Sequence, residues 1–366
     1  ILERSVSVMF PLKSGSVVNF AESIDTVPEN IREVSPTAFI AVPRIWEKMH
    51  SGIRVKMDEA SGIRLWLFEC GITLCGPFSE TPPESLNFRE RFLKFIFYWT
   101  IFRAIQNHLG LRRARVLISG AAPISPDLLK FYRSIGLPVS EAFGMTETTA
   151  LGFMQDPKSL ISGTIGFPMP GVEAKIASDG ELLLQGEMIF KGYYKDPDGT
   201  KETLKNNWLY TGDLAEIVED QFRIIGRKKE IIITAGGKNL SPAQLENNLK
   251  VSPYIKEAIV CGDKKPYLSA LIQIDYDNVA NWADRKDITF TNFENLSKHP
   301  EINKLIDEQV ISANKRVSNV ANIRKYYILN KELDHDDNEM TATQKIRRQN
   351  ILKKYETTIN NLYTGN

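Results

Sequence analysis

The chain contains 366 residues, of which 42% are hydrophobic and 25% are charged. This composition is typical of a globular protein and argues against disorder, and the length predicts two or three domains of about 150 residues each. The 46 Lys and Arg residues against 45 Asp and Glu residues leave a net charge of +1, which argues against a protein that coats nucleic acid.

The number of cysteines and the length of the apolar runs indicate the cellular compartment of the protein. Three cysteines are too few for a disulfide framework and favour a reducing environment. Cys70 and Cys75 have no histidine near them in the sequence, which argues against a zinc site. The longest apolar run, residues 95–102, is shorter than the roughly 20 residues of a membrane span and predicts a buried or interfacial helix. We therefore expect a cytoplasmic protein with at most peripheral contact with a membrane surface.

The first half of the chain alternates predicted strands and helices. In chain order the pattern predicts a strand at 38–42, a helix from Pro43, a long helix at 88–109 before Gly110, a strand at 115–119, and a helix that begins at Pro126 with Ser125 as its N-cap. Strand, small-residue turn and helix in this order predict a parallel α/β layer with a binding crevice at the carboxyl ends of its strands.

The second half of the chain has a different pattern of predicted elements. After Gly163, short strands alternate with Gly and Pro turns, which predicts a β-rich subdomain. A charged bend follows at about residue 228, where we place a domain boundary between residues 1–227 and 228–366. Beyond it the sequence predicts a helix after Ser241, a β-α-β pattern over 255–274 and a mostly helical C-terminal third.

The first candidate motif follows a predicted strand at 138–141. It combines Phe143, Gly144, Thr146 and Glu147 within five residues. An aromatic ring can stack on a purine, a glycine lets the backbone approach a phosphate, and hydroxyl and carboxylate oxygens suit Mg²⁺. The alternative is a plain strand-to-helix turn with Thr146 as N-cap, because short motifs have many chance matches.

Two further motifs lie in the β-rich region and at the boundary. Asp213, next to Gly212, is either a turn former or a carboxylate that accepts both hydroxyls of a ribose. Arg227 ends an apolar strand and begins a charge cluster with Lys228 and Lys229, which is either a solvated hairpin corner or a ligand-binding arginine beside a flexible joint.

The last two motifs lie in the predicted C-terminal domain. A turn with Gly236 and Gly237 allows close approach of a ligand or of backbone. Near the C-terminus, residues 340–348 contain Lys345 in a basic segment, and such segments usually begin a surface helix.

The order of these motifs resembles the adenylate-forming superfamily, and within it the long-chain acyl-CoA synthetases. Residues 36–48 (PTAFIAVPRIWEK) resemble a stretch typical of the long-chain and bubblegum-type members, and residues 208–229 resemble the fatty-acyl-CoA synthetase signature. The similarity covers nearly the whole chain. It implies an α/β fold with a large AMP-binding domain, made of a parallel α/β layer and a β-rich subdomain, and a small mobile α+β C-terminal domain.

The resemblance also implies roles for individual residues in the large domain. Phe143 stacks on adenine beside Gly144, Thr146 contacts the α-phosphate, and Glu147 holds Mg²⁺. Gly120 and Ala121 border the nucleotide and the acyl group.

Further roles follow from the same resemblance. Asp213 binds the ribose hydroxyls with help from Arg227, and Lys229 lies at the hinge. Lys345 stabilises the charge that develops during adenylation, and Gly236 and Gly237 line the thiol channel after the small domain rotates. The implied substrates and cofactors are a fatty acid, ATP, Mg²⁺ and coenzyme A.

The chain departs from the family pattern in two places. Gln344 stands where many members have Gly. The Ser/Thr/Gly-rich loop that cradles the β- and γ-phosphates is missing from the sequence, and the chain starts with Ile1 inside sequence that has a structured pattern. We therefore expect the chain to be the C-terminal part of a longer synthetase, to be inactive alone, and to form homo-oligomers through apolar surface where the rest of the large domain packed.

Two other functions are compatible with the sequence. The first is a fatty-acyl-AMP ligase or adenylation domain that loads a carrier phosphopantetheine instead of free CoA. The second is a non-catalytic module that binds nucleotide or acyl groups. The set of Glu147, Asp213, Arg227 and Lys345 favours an enzyme over that module. The length of the acyl chain does not follow from the sequence, because one methylene contributes only about 1–3 kcal/mol of discrimination.

Overall fold

The computed structural model describes residues 4–23, 26–60, 62–341 and 345–364. The chain divides into two compact units, Ile1–Lys228 and Lys229–Asn366. Each unit is described by itself.

The first unit contains a five-stranded mixed sheet with the order β1-β2-β3-β4-β5. Its strands are β1 (Ala38–Ala41), β2 (Val116–Ser119), β3 (Ser140–Phe143), β4 (Phe153–Met154) and β5 (Phe167–Pro168). The first three strands are parallel, and Ser119 pairs with both Ala41 and Glu141. Their carboxyl ends therefore meet at one edge of the sheet, which confirms the predicted parallel α/β layer.

The helices of this unit surround a core that includes Trp46, Phe68 and Tyr132. The α-helices are Phe10–Ser14, Val27–Val34, Pro43–Asp58, Gly62–Cys75, Phe88–Phe97, Arg103–His108, Pro126–Ser134 and Pro197–Thr203; π-helical turns are Ser5–Met9 and Tyr98–Phe102, and 3₁₀ turns are Gly76–Phe78 and Thr146–Thr148. Tyr132 donates a hydrogen bond of 2.6 Å to the carbonyl of Trp46, which ties two helices together through the core.

The predicted helix at 88–109 is one continuous helical segment, interrupted by the π turn and ended at Gly110, whose φ is 72°. Ser125 is the N-cap of the next helix, as predicted, and has extended backbone angles. Its side chain makes no capping hydrogen bond, and the N–H groups of Leu128 and Leu129 donate to its carbonyl at 3.1 and 3.2 Å. Pro126 is the first helical residue, as expected.

A second, antiparallel sheet forms the β-rich part of the first unit. Its strands are β6 (Glu173–Ile176), β7 (Glu181–Gln185), β8 (Leu204–Lys205), β9 (Trp208–Val218) and β10 (Gln221–Arg227), with the order β10-β9-β7-β6 and β8 beside β9. Alternate residues of β9 are buried from Leu209 to Ala215, as expected for a strand with one face on the core. Phe153, Leu182, Leu184 and Leu209 form that core.

The second unit is an α+β unit around a three-stranded sheet. A two-stranded ribbon of β11 (Ile232–Ile233) and β12 (Asn239–Leu240) precedes β13 (Ile255–Cys261), β14 (Leu268–Ile274) and β15 (Ile323–Ile328). The α-helices are Pro242–Leu249, Tyr276–Asp284, Phe293–Ser297, Pro300–Asn314, Arg348–Lys354 and Glu356–Asn361, and a 3₁₀ turn covers Asn319–Ala321.

The predicted β-α-β pattern over 255–274 is wrong. β13 and β14 are antiparallel neighbours, because the segment 262–267 between them is too short for a crossover helix, which takes a dozen or more residues. The parallel neighbour of β14 is β15, which follows the helices at 276–314. Within the described ranges, no helix has both the length and the apolar character that crossing a membrane requires.

Candidate active site

The first part of the candidate site is the loop after β2. Gly120 follows the strand directly, and its N–H donates to the carbonyl of Ala41 at 3.3 Å. A Cβ at Gly120 would lie 3.3 Å from the carbonyl oxygen of Ala142, so glycine allows this close approach. Ala121 has a φ of 70°, an uncommon conformation for a residue with a side chain. The loop is therefore held against the carboxyl ends of β1 and β3.

Beneath this loop lies a buried carboxyl that the sequence analysis did not identify. Glu141, on β3, accepts a hydrogen bond from the backbone N–H of Ile124, and burial raises its pKa to about 8 although Arg133 acts against the rise. Its Oε2 atom and the hydroxyls of Ser119 and Ser125 are buried without a hydrogen-bond partner among the described residues. The signal in the sequence was a single carboxylate inside an otherwise uncharged strand.

Arg133 is the cation that faces this region from the helix Pro126–Ser134. Its guanidinium donates to the carbonyl of Val139 at 2.9 and 3.1 Å, to Gln155 at 2.7 Å and to Glu80 at 2.7 Å. Gln155 in turn accepts from the N–H of Glu141 at 2.9 Å. The carboxyl end of β3 is thus fixed by a buried polar network.

The segment after β3 forms one 3₁₀ turn, Thr146–Thr148. The hydroxyl of Thr148, not that of Thr146, accepts from the N–H of Met145 at 3.1 Å. Thr146 lies exposed on the turn and is not its N-cap. A Cβ on Gly144 would overlap the carbonyl oxygen of Ala150, so this turn requires glycine at that position.

Glu147 is held by a second loop that the sequence analysis did not include. The hydroxyl of Tyr193 donates to Glu147 Oε1 at 2.8 Å, and the N–H of Phe190 donates to the Glu147 carbonyl at 2.8 Å. Partial burial and the neighbouring Glu147 carboxylate raise the pKa of Tyr193. One oxygen of Glu147 is thereby oriented by Tyr193, which leaves a carboxylate of fixed direction on the turn.

Phe143 lies at the end of β3, next to this turn. Its ring is half-buried and contacts the ring of Phe153 edge to face, with the centroids 6.0 Å apart. One side of the aromatic ring is therefore supported by the core of the β-rich part.

Asp213 and Arg227 are partners in the register of β9 and β10. Arg227 Nε lies 2.8 Å from Asp213 Oδ1, and the Asp213 carboxylate is buried while Arg227 is exposed. The N–H of Asp213 donates to the hydroxyl of Thr211 at 3.1 Å. Gly212 has a φ of 72°, and its N–H donates to Glu181 at 2.9 Å. The structure thus places the two predicted residues side by side.

Lys228 belongs to a small charge network at the end of β10. Its ammonium lies 2.6 Å from Asp179 and 2.9 Å from Glu181. These hydrogen bonds raise the pKa of Lys228 and lower that of Asp179. Lys228 is therefore bound to the β-rich part of the first unit. Lys229, the predicted hinge residue, is exposed on the 3₁₀ turn Lys228–Glu230.

In the second unit, Gly236 and Gly237 form the turn of the ribbon between β11 and β12. The N–H of Gly237 donates to the carbonyl of Thr234 at 2.8 Å, and Gly237 has a φ of 73°. A Cβ at Gly237 would meet nothing within 4 Å. Its backbone conformation, rather than crowding, accounts for glycine at this position.

Lys345 lies on the second arm of a hairpin and not at the start of a helix. Met340 and Ile346 form a β-bridge, and the N–H of Thr341 donates to the Lys345 carbonyl at 2.8 Å. The Lys345 N–H donates back to the Thr341 hydroxyl at 3.0 Å. Lys345 is exposed, and the next helix begins only at Arg348. Gln344 lies outside the described residues.

The base of this hairpin is fixed by ion pairs. Lys354 lies 2.9 Å from both Asp337 and Glu339, and Lys331 pairs with the same two carboxylates. These contacts hold both ends of the segment that carries Lys345.

Comparison with known proteins decides the family. Residues 1–194 match the AMP-binding enzyme family, and residues 229–366 match its C-terminal domain. The chain belongs to the AMP-binding enzyme family. This confirms the resemblance to adenylate-forming enzymes on which the sequence analysis relied.

One relative of this AMP-binding enzyme is the long-chain-fatty-acid–CoA ligase FadD15 of Mycobacterium bovis, which is 34% identical over 368 residues. The match covers 99% of the chain and 60% of the ligase, so the chain spans about three fifths of the length of that relative.

Solved structures confirm the predicted fold class. The adenylation domain of a carboxylate reductase from Mycobacterium chelonae superimposes with a TM-score of 0.70 at 20% identity, covering 94% of the chain and 49% of that domain. The O-succinylbenzoate coenzyme A synthetase of Bacillus subtilis, in complex with ATP and magnesium ion, gives a TM-score of 0.54 at 20% identity over 89% of the chain and 54% of the synthetase.

Proposed function

We propose that this AMP-binding enzyme activates a long-chain fatty acid with ATP and transfers the acyl group to CoA. Support comes from the similarity to a long-chain-fatty-acid–CoA ligase along 99% of the chain. The observation that carries the proposal is the buried carboxylate of Asp213 beside Arg227. A buried carboxylate paired with an adjacent cation is suited to accept hydrogen bonds from two ribose hydroxyls.

In this proposal the first unit binds the nucleotide. Phe143 stacks on adenine next to Gly144, Gly120 and Ala121 line the edge between nucleotide and acyl group, and Thr146 donates to the α-phosphate. The carboxylate oxygens of Glu147 are hard ligands of the kind that Mg²⁺ takes, and Tyr193 orients this carboxylate. When bound, Mg²⁺ would neutralise phosphate charge.

The first half-reaction is attack by a fatty-acid carboxylate oxygen on the α-phosphorus of ATP. The new P–O bond gives an acyl-adenylate, and pyrophosphate leaves with the electrons of the broken P–O bond. Lys345 donates to the oxygens that gain charge at phosphorus. Its long side chain and its place on an exposed hairpin suit a group that serves one step and then withdraws.

The second half-reaction is attack by the CoA thiolate on the acyl carbonyl carbon. A thioester forms, and AMP leaves with the electrons of the acyl–oxygen bond. We assign Gly236 and Gly237 to the wall of the thiol channel and Lys229 to the hinge. Rotation of the second unit would exchange Lys345 for the glycine turn, a domain-closure mechanism.

The test separates the two half-reactions in protein expressed from the complete coding sequence. Lys345→Ala is compared with Lys353→Ala, another exposed lysine of the second unit. Palmitate-dependent pyrophosphate release should fall about 10²–10³-fold in Lys345→Ala, the usual effect of removing one charge-stabilising donor. Thioester formation from supplied palmitoyl-adenylate and CoA should stay within a few fold of wild type, as should both reactions of Lys353→Ala. Equal loss of both half-reactions in Lys345→Ala contradicts the assigned role.

The acceptor is tested in the same assay. Free CoA and a phosphopantetheine carrier protein are offered to the preformed adenylate. We expect thioester on CoA. Transfer to the carrier alone would instead identify a carrier-loading adenylation enzyme, while binding of ATP without pyrophosphate release would identify a non-catalytic module.

A further inference from the structure

The helical segment from Phe88 to His108 exposes large aromatic side chains along one face. Phe88, Phe92, Phe95 and Trp99 are 86%, 53%, 61% and 55% exposed, and we call these four residues the aromatic ridge. Their spacing of three or four residues places them on one side of a helix. Single exposed apolar residues are common, but a contiguous row of this kind marks an interaction surface.

The side chains of the ridge contact each other rather than the core. The rings of Phe88 and Phe92 are nearly parallel with centroids 6.2 Å apart, and those of Phe95 and Trp99 meet edge to face at 6.4 Å. The core contacts of this helical segment come from another set of side chains, which includes the buried Phe97, Ile101, Phe102 and Ile105. The ridge is therefore a second apolar face, not needed to anchor the helix.

The neighbouring helix, Gly62–Cys75, packs against Phe88–Phe97. It also exposes apolar side chains at helical spacing, with Ile63 and Trp66 more than 60% exposed and Leu74 43% exposed. The exposed apolar surface thus extends over both helices of this hairpin.

Positive charge is concentrated in the same segment. Residues 88–108 contain four Lys and Arg residues and one Glu, a net charge of +3, whereas the whole chain has +1. The Lys94 ammonium donates to the carbonyl of Phe78 at 3.1 Å, so the arginines of the segment supply its exposed positive charge. The one carboxylate, Glu90, is engaged in a reciprocal cap with Asn87 at the helix start. Arg89 and Arg91 are exposed beside the ridge, and the guanidinium of Arg103 lies 4.5 Å from the ring centre of Trp99.

We propose that the aromatic ridge and its arginines bind the surface of an anionic lipid membrane. A helix with aromatic residues on an exposed face and arginines beside them suits the boundary between headgroups and acyl chains. The excess of positive charge selects anionic headgroups. A membrane of this kind accounts for both the exposed aromatic side chains and the arginines, whereas a second copy of this chain would bring two positively charged segments together.

The proposal is tested with folded protein from the complete coding sequence and vesicles of phosphatidylcholine with or without phosphatidylserine. No fatty acid, ATP or CoA is added, so the outcome is independent of the proposed catalytic function. We expect sedimentation with the phosphatidylserine vesicles, weakened by salt. The double variant Phe92→Ser/Trp99→Ser should lower the partition coefficient at least about tenfold, because it removes two aromatic side chains that would enter the membrane interface.

Two further variants sharpen the test. Arg89→Gln/Arg91→Gln, at the two exposed arginines beside the ridge, should weaken binding to phosphatidylserine vesicles and reduce its salt dependence. Ile311→Ser, at an exposed apolar residue of the second unit, should bind as wild type does. Unchanged binding by the ridge variant overturns the proposal. Absence of vesicle binding also overturns it. A dimer that the ridge variant abolishes would then identify a second copy as the occupant, and a monomer whose unfolding free energy the ridge variant lowers would identify the rest of the large domain.

Discussion

The buried carboxyl of Glu141 makes the stability of the first unit depend on pH. Burial raises its pKa from 4.5 to about 8, whereas in the unfolded chain the group titrates at its ordinary value. Glu141→Gln replaces the protonated carboxyl by an amide of the same shape that does not titrate. The comparison of wild type with this variant isolates the contribution of one ionisable group.

The sign follows from which state holds the proton. Below pH 4.5 the carboxyl is protonated in both states and contributes no pH dependence. Between pH 4.5 and about pH 8 only the unfolded chain ionises, so the free energy of unfolding of the wild type falls by about 1.4 kcal/mol per pH unit. Between about pH 5 and about pH 7 the loss is about 3 kcal/mol, and it levels off above the folded pKa.

The assay is urea unfolding followed by tryptophan fluorescence, because four of the five tryptophans lie in the first unit. The free energy of unfolding of Glu141→Gln, relative to wild type, should rise by about 3 kcal/mol between about pH 5 and about pH 7. The exposed Glu187→Gln serves as the matched control and should follow the wild type. Parallel pH dependences of wild type and Glu141→Gln would refute the reasoning, because they would mean that the folded protein ionises Glu141 as readily as the unfolded chain does.

Three further predictions concern the turn after β3. Glu147→Gln should raise the Mg²⁺ concentration for half-maximal pyrophosphate release while fatty-acid binding stays unchanged, and a normal Mg²⁺ dependence would count against its role as ligand. Tyr193→Phe removes the 2.8 Å hydrogen bond to Glu147. It should raise the Mg²⁺ concentration for half-maximal pyrophosphate release by less than Glu147→Gln does, roughly fivefold or about 1 kcal/mol. A larger rise than that of Glu147→Gln would mean that Tyr193 does not act through Glu147. Gly144→Ala forces a methyl group into the Ala150 carbonyl and should cost at least about 1–3 kcal/mol of stability, read as a lower Tm, whereas an unchanged Tm would show that the turn can relax.

The sequence by itself determined the features that depend on neighbouring residues. Pro43 and Pro126 begin helices and Gly110 ends one, because proline presets the helical φ and glycine tolerates a positive one. The small-residue turn after β2 and the order of the motifs were sufficient to predict the fold class. The local pattern did not determine how strands pair, and the β-α-β pattern predicted over 255–274 was wrong.

Only the tertiary structure decided which distant groups meet. Tyr193 and Glu147 are 46 residues apart, and Lys228 reaches carboxylates 47 and 49 residues away. β13 pairs with β14 in the antiparallel sense. The parallel neighbour of β14 is β15, which follows three α-helices later in the chain. The raised pKa of Glu141 has the same origin, because its cause is the burial of the carboxyl in the folded chain. Local patterns set backbone conformation within a few residues, whereas pairing, burial and charge neighbours depend on how the whole chain packs.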